Sequence, residues 1–103
     1  MNPDIGMMAV RDYVEETCIR CGWSAENQNG FLSDISFEYR YIKDGISINV
    51  KFWKAKLLIR SVSLMNRVAS IYCPVDPGMV KHYKVDLADP TCFVKFEDLL
   101  RRI

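Results

Sequence analysis

The sharpest pattern in the chain lies between residues 31 and 53, FLSDISFEYRYIKDGISINVKFW, where apolar and polar positions alternate. Ile35, Phe37, Tyr39 and Tyr41 fall on one side, and Ser36, Glu38 and Arg40 on the other. Period two is the signature of a strand with one face buried. Asp44-Gly45 then supplies the two left-handed residues that a type I′ hairpin turn requires. Folding about that dipeptide pairs Lys43 with Ile46, so Tyr41 faces Ile48, Tyr39 faces Val50 and Phe37 faces Phe52. On the other face Arg40 meets Asn49 and Glu38 meets Lys51, a cross-strand ion pair worth roughly a few tenths of a kcal/mol. A slip of one residue would break all of these matches together, which fixes the register.

Upstream, residues 4–21 carry a helical period. Met7, Val10, Val14, Cys18 and Cys21 recur every three or four residues and share a stripe about 80° wide at about 100° per residue. Asn2 or Asp4 can cap this helix, Pro3 suits its first turn, and Gly22 ends it. Residues 24–30, SAENQNG, read as a polar loop.

Beyond Phe52 the inward positions switch from even to odd, to Ala55, Leu57 and Ile59, which requires a bulge or a turn near Trp53 and Lys54. Residues 55–73 admit strands at 55–63 and 68–73 joined around Met65 and Asn66. They also admit a helix with Leu58, Val62, Met65, Ala69 and Tyr72 on one face. Their β-branched and serine content favours strands. PVDPG, residues 74–78, is a turn on either account. Residues 79–87 predict a further strand, with Lys81, Tyr83, Val85 and Leu87 on one face and Val80, His82 and Lys84 on the other. Asp89 caps and Pro90 opens a last helix with Phe93, Phe96, Leu100 and Ile103 inward, and Arg101 and Arg102 suit its C-terminus. The sum is an α+β two-layer sandwich: an N-terminal helix, an antiparallel meander of four to five strands and a C-terminal helix, in a single domain over residues 1–103.

Size and charge narrow the function. At 103 residues the chain buries roughly two thirds of its unfolded surface and needs neither metal nor disulfide to fold. Hydrophobic residues at 50%, charged residues at 26% and a net charge of +1 describe an ordinary globular domain, not a polyanion or a strongly basic nucleic-acid binder. The N-terminus lacks a basic, apolar leader, and no apolar run reaches the ~18 residues that span a bilayer. A cytoplasmic protein with four reduced cysteines is expected.

Candidate chemistry begins with CIRCGW, residues 18–23. Two cysteines three apart can supply half of a zinc site, but Cys73, Cys92 and His82 offer no second close pair. Their place on the apolar stripe makes them core thiols. A redox pair of the thioredoxin kind belongs at a helix N-terminus, and this pair ends one. A nucleophilic dyad would have to join His82 to Cys73 or Cys92, oriented by Asp86 or Asp89. Asp34 and Glu38, roughly 13 Å apart along a strand, are too distant to act on one bond. The scattered glycines make no phosphate loop.

One surface stretch stands out: KFWKAK, residues 51–56. With Phe52 inward, Trp53 points outward beside Lys51, Arg40 and Asn49, with Lys54 and Lys56 near. Such a cluster suits an acidic protein partner or stacking of single-stranded nucleic acid, unless Trp53 packs at the bulge. The expectation is a non-enzymatic protein-interaction module of adaptor, inhibitor or immunity/regulator type. It would bind a protein partner through the outer sheet face or an edge, with no cofactor and no metal, and its sheet also admits a homodimer. The alternative is a nucleic-acid-binding or zinc-dependent module using Lys51–Lys56 and Cys18/Cys21.

Overall fold

The computed structural model describes residues 3–25, 31–63 and 80–103. Helix α1, Pro3–Arg20, buries Met7, Val14, Thr17 and Cys18 and half-buries Val10, Tyr13 and Cys21. The expected stripe is therefore its inner face, widened by Thr17 and Tyr13. Asn2 and the side chain of Asp4, the expected caps, lie outside the described residues. The helix ends as its sequence dictates. Gly22 takes φ 92°, its N–H reaches Ile19 O at 3.0 Å, and the N–H of Trp23 reaches Cys18 O at 2.9 Å. These are the two hydrogen bonds of a Schellman cap. Lys43 Nζ donates to Cys21 O at 2.9 Å, placing a cation on the negative end of the helix dipole.

The strands form one antiparallel sheet. β1, Ser24–Ala25, and β2, Phe31–Leu32, lie along one edge of β3, Phe37–Lys43. β4, Ile46–Trp53, β5, Lys56–Ser63, and β6, Val80–Asp86, follow in order. Every expected hairpin pair is present, from Phe37 opposite Phe52 to Lys43 opposite Ile46. Asp44 and Gly45 take φ 51° and 76° between them. The short edge strands were not legible as such; Ser24–Ala25 falls in the stretch expected as loop.

Three expectations need correction. Ile35 is not an inward strand residue: it is 65% exposed, because Ser33 Oγ accepts the N–H groups of Ile35 and Ser36 and this local turn delays the strand to Phe37. Ala55 is exposed in a two-residue turn with Lys54, both at positive φ, 60° and 50°. That turn sets Trp53 opposite Lys56 and so accounts for the parity switch. Residues 56–63 are strand, as favoured, while both accounts of the chain beyond Ser63, and PVDPG, fall outside the described residues.

The third correction concerns α2, Cys92–Arg102. Asp89 and Pro90 precede it in a turn: Asp89 Oδ1 accepts the N–H and hydroxyl of Thr91, each at 2.8 Å, and its other oxygen takes Lys95 Nζ. The buried side chains are Cys92, Phe96, Leu99 and Leu100, with Ile103 half-buried and Phe93 at the border. At about 100° per residue, exchanging Phe93 for Cys92 and Leu99 turns the centre of the stripe by only about 35°, so Phe96, Leu100 and Ile103 stay inward as expected.

Both helices cover one face of the sheet. Phe37, Tyr41, Ile48, Val50, Leu57, Ile59 and Val85 share a single cluster with the inner faces of α1 and α2. Each fully buried apolar side chain contributes roughly 1.5–3 kcal/mol. The helices run in the same direction. Tyr13 meets Phe93 with ring centroids 4.3 Å apart, Arg20 reaches Glu97 at 3.1 Å, and Trp23 Nε1 donates to Leu100 O at 3.3 Å.

Lys95, then the Thr91 backbone and hydroxyl, hold the Asp89 carboxyl down from 3.8 to about 2. A depressed carboxyl stabilises the fold above its unfolded value and ceases to do so as pH falls through the folded one. In urea titrations, the stability gap between wild type and Asp89→Asn should close as pH drops from 3.8 to about 2. A gap independent of pH across that window would contradict the assignment.

Candidate functional site

The other face of the sheet carries no described helix. Because side chains alternate, β3 presents Glu38, Arg40 and Ile42 there, and β4 presents Ser47, Asn49, Lys51 and Trp53. The observed register continues these into β5 and β6 as rows. Arg40, Asn49, Arg60 and His82 make one row, and Glu38, Lys51, Leu58 and Lys84 make the next. Trp53, Lys56 and Asp86 close the end. Residues opposite one another on a face have Cβ atoms about 4.5–5.5 Å apart, so these side chains form a continuous surface. Its cations are Arg40, Lys51, Lys56, Arg60 and Lys84, against the acids Glu38 and Asp86.

The structure brings together all six residues singled out in the sequence. Arg40, Lys51 and Lys54 are exposed, and Asn49 and Lys56 are half-buried. Trp53 is 38% exposed, with Lys51 Nζ 5.8 Å and Lys54 Nζ 5.7 Å from its ring centroid. Both distances fall within cation–π range, worth about 0.5–1 kcal/mol at an exposed ring.

The expected ion pair takes a different form. Glu38 faces Lys51, but its carboxylate accepts from Asn49 Nδ2 at 2.6 Å, while the Lys51 ammonium lies over Trp53. That bond fixes the amide, because a carboxylate needs a donor, and it leaves Asn49 Oδ1 buried without a partner in the middle of the basic row.

Sequence reasoning missed Leu58, 37% exposed, and Arg60, His82 and Lys84. Their place on this face follows only once Lys54-Ala55 is known to be a two-residue turn. Counting back from the apolar positions Leu57 and Ile59 was the available signal.

The other candidates are dispersed. Cys18 is wholly buried, where desolvation first and the neighbouring Cys21 second push its thiol up, away from the thiolate that metal binding and redox exchange require. Cys21 is half-buried, and Cys73 lies outside the described residues. Among the described residues no group of three or more His, Cys, Asp or Glu side chains could hold a metal ion. His82 stands on the open face and Cys92 in the core beneath it, so the sheet separates that dyad. Asp34 sits in a bend and Glu38 on the strand, as separate surface carboxylates.

No family model, no curated protein and no solved structure matches this chain. No described helix is long and apolar enough to cross a membrane.

The turn that shapes the end of this face is strained. Left-handed backbone costs a residue with a Cβ roughly 1–2 kcal/mol, and neither Lys54 nor Ala55 is a residue that adopts it readily. Replacing the pair by Lys54→Asn and Ala55→Gly should raise stability by about 1–2 kcal/mol in urea denaturation. A loss of stability would show that the native pair makes contacts worth more than the strain.

Proposed function

We propose that this chain is a non-enzymatic protein-interaction module that captures an acidic protein surface on the open face of its sheet. The observation that carries this reading is the row structure of that face, where Lys51, Lys56, Arg60 and Lys84 surround an exposed Leu58, Arg40 extends the basic surface onto β3, and the rows lead to an exposed Trp53. Arg and Trp enclosed by charge are the composition of binding hot spots, where a desolvated aromatic anchor carries most of the energy and the surrounding charges set orientation and encounter rate.

A protein fits this face better than nucleic acid. Phosphate recognition gains from a field of one sign, whereas the net charge is +1 and Glu38 and Asp86 lie within the face. Leu58 offers an apolar contact that a sugar–phosphate backbone does not use. A homodimer packed face to face would set like cations together, so the partner is a different molecule with carboxylates placed to meet the rows. Blocking or scaffolding such a partner is the work of an inhibitor, adaptor or regulator.

The test is capture by the immobilised chain from a nuclease-treated lysate of its source cells, repeated with Trp53→Ala and with Arg40→Glu/Arg60→Glu. Circular dichroism would verify that both variants keep their fold. A retained protein should bind wild type about thirtyfold more tightly than Trp53→Ala, the weight of a roughly 2 kcal/mol anchor. Charge reversal should abolish its capture. Retention that disappears with nuclease, or that survives charge reversal, contradicts the proposal.

A further inference from the structure

Past Trp53, at the end of the sandwich, a groove of about 800 Å³ opens between the two layers. Met7 and Val10 of α1 form one wall, Phe52 with the Lys54-Ala55 turn another, and Cys92 with Phe93 of α2 the third. Ile35, 65% exposed, Phe93, 39% exposed, and Trp53 stand on its rim. Each is there for its own backbone reason: the serine turn holds Ile35 out of β3, Phe93 lies at the border of the stripe of α2, and strand parity turns Trp53 outward. Three large apolar side chains thus surround one opening and leave burial energy unused at this end of the molecule. The wall beside Trp53 is the strained turn, tied back by the N–H of Leu87 to Ala55 O at 3.0 Å. Strain of this kind persists where the surrounding structure holds it, and it concentrates at binding sites.

We infer that this groove is the anchor pocket of the acidic-protein interface, taking one large apolar side chain of the partner while the adjoining carboxylates lie across the basic rows. The inference rests on the reading in the preceding subsection and adds what the partner must carry. Charge fixes the arrangement. Lys51 and Lys54 stand at the Trp53 lip, next to Lys56, so cations outnumber the one acid of the lining, Asp34. The partner's acidic stretch therefore runs from the anchor over Trp53 and onto the cations of the sheet. A nucleic acid has no side chain of this kind to place in a groove whose walls are almost wholly apolar.

Two synthetic peptides separate the two parts: octaglutamate, and octaglutamate with a phenylalanine at each end. Each is titrated into the intact, nitrogen-15-labelled chain and followed by amide chemical shifts. Both should shift the amides of Arg40, Lys51 and Arg60. Only the phenylalanine peptide should shift Ile35 and Phe93, and it should bind on the order of tenfold more tightly. The variant Ile35→Ser/Phe93→Gln removes the two apolar rim side chains, at the cost of the Tyr13–Phe93 ring contact; it should erase that gain while binding octaglutamate as wild type does, which also shows that it is folded. A phenylalanine peptide that binds no more tightly, or a gain that survives in the variant, overturns the anchor pocket and leaves the acidic interface standing. If neither peptide shifts the sheet face, the acidic interface itself fails.

Discussion

The hydrogen bond from the indole N–H of Trp23 to the carbonyl of Leu100 joins the ends of both helices at one buried point. Trp23 is 2% exposed, and its own N–H completes the Schellman cap of α1. Leu100 lies in the last turn of α2, where carbonyls have no partner within the helix. One side chain thus satisfies an orphan group of α2 while its backbone satisfies one of α1. Lys43, reaching Cys21 O from β3 with its ammonium 5.8 Å from the Trp23 ring centroid, ties the same point to the sheet. Left unmade in a buried setting, such a bond costs about 1–3 kcal/mol.

Much of the molecule follows from that joint. With their C-termini held together, the helices run side by side, and Tyr13–Phe93 and Arg20–Glu97 span them along the way. They cover a single face of the sheet, and the face bearing Arg40, Asn49, Arg60 and His82 is left uncovered by any described helix. Among the described residues, the opposite end of the sandwich has no equivalent of Trp23. Met7, Val10 and Phe93 diverge there around the groove beside Trp53. The two tryptophans therefore mark a closed end and an open end.

The hairpin was wholly legible because two independent signals, period two and Asp44-Gly45, specify one register. The inner stripe of α1 and the faces of β6 were legible for the same reason, since periodicity reports burial directly. Where the local signal was absent, the reading slipped. Lys54-Ala55 forms a type I′ turn without the glycine or asparagine that marks one, so β5 could not be placed opposite β4 and half of the open face stayed hidden. Ile35 obeys the alternation but yields to the hydroxyl of Ser33. In α2, Phe93 and Cys92 both continue a helical stripe, and only packing against Tyr13 and the sheet decides between them. Trp23 follows a glycine outside any periodic segment, and its role depends on a carbonyl 77 residues away. The six residues proposed for binding were legible as a cluster because they flank the hairpin, the best-determined element of the chain.

Urea denaturation of Trp23→Phe beside Trp53→Phe tests this account most directly. Each change keeps an aromatic ring and removes an indole N–H. Trp23→Phe leaves the Leu100 carbonyl buried without its donor and should cost about 1–3 kcal/mol. Trp53→Phe alters an exposed ring and should stay within about 0.5 kcal/mol of wild type. Equal losses, or a larger loss at Trp53, would contradict the division of the molecule into a closed end held by Trp23 and an open end left for a partner.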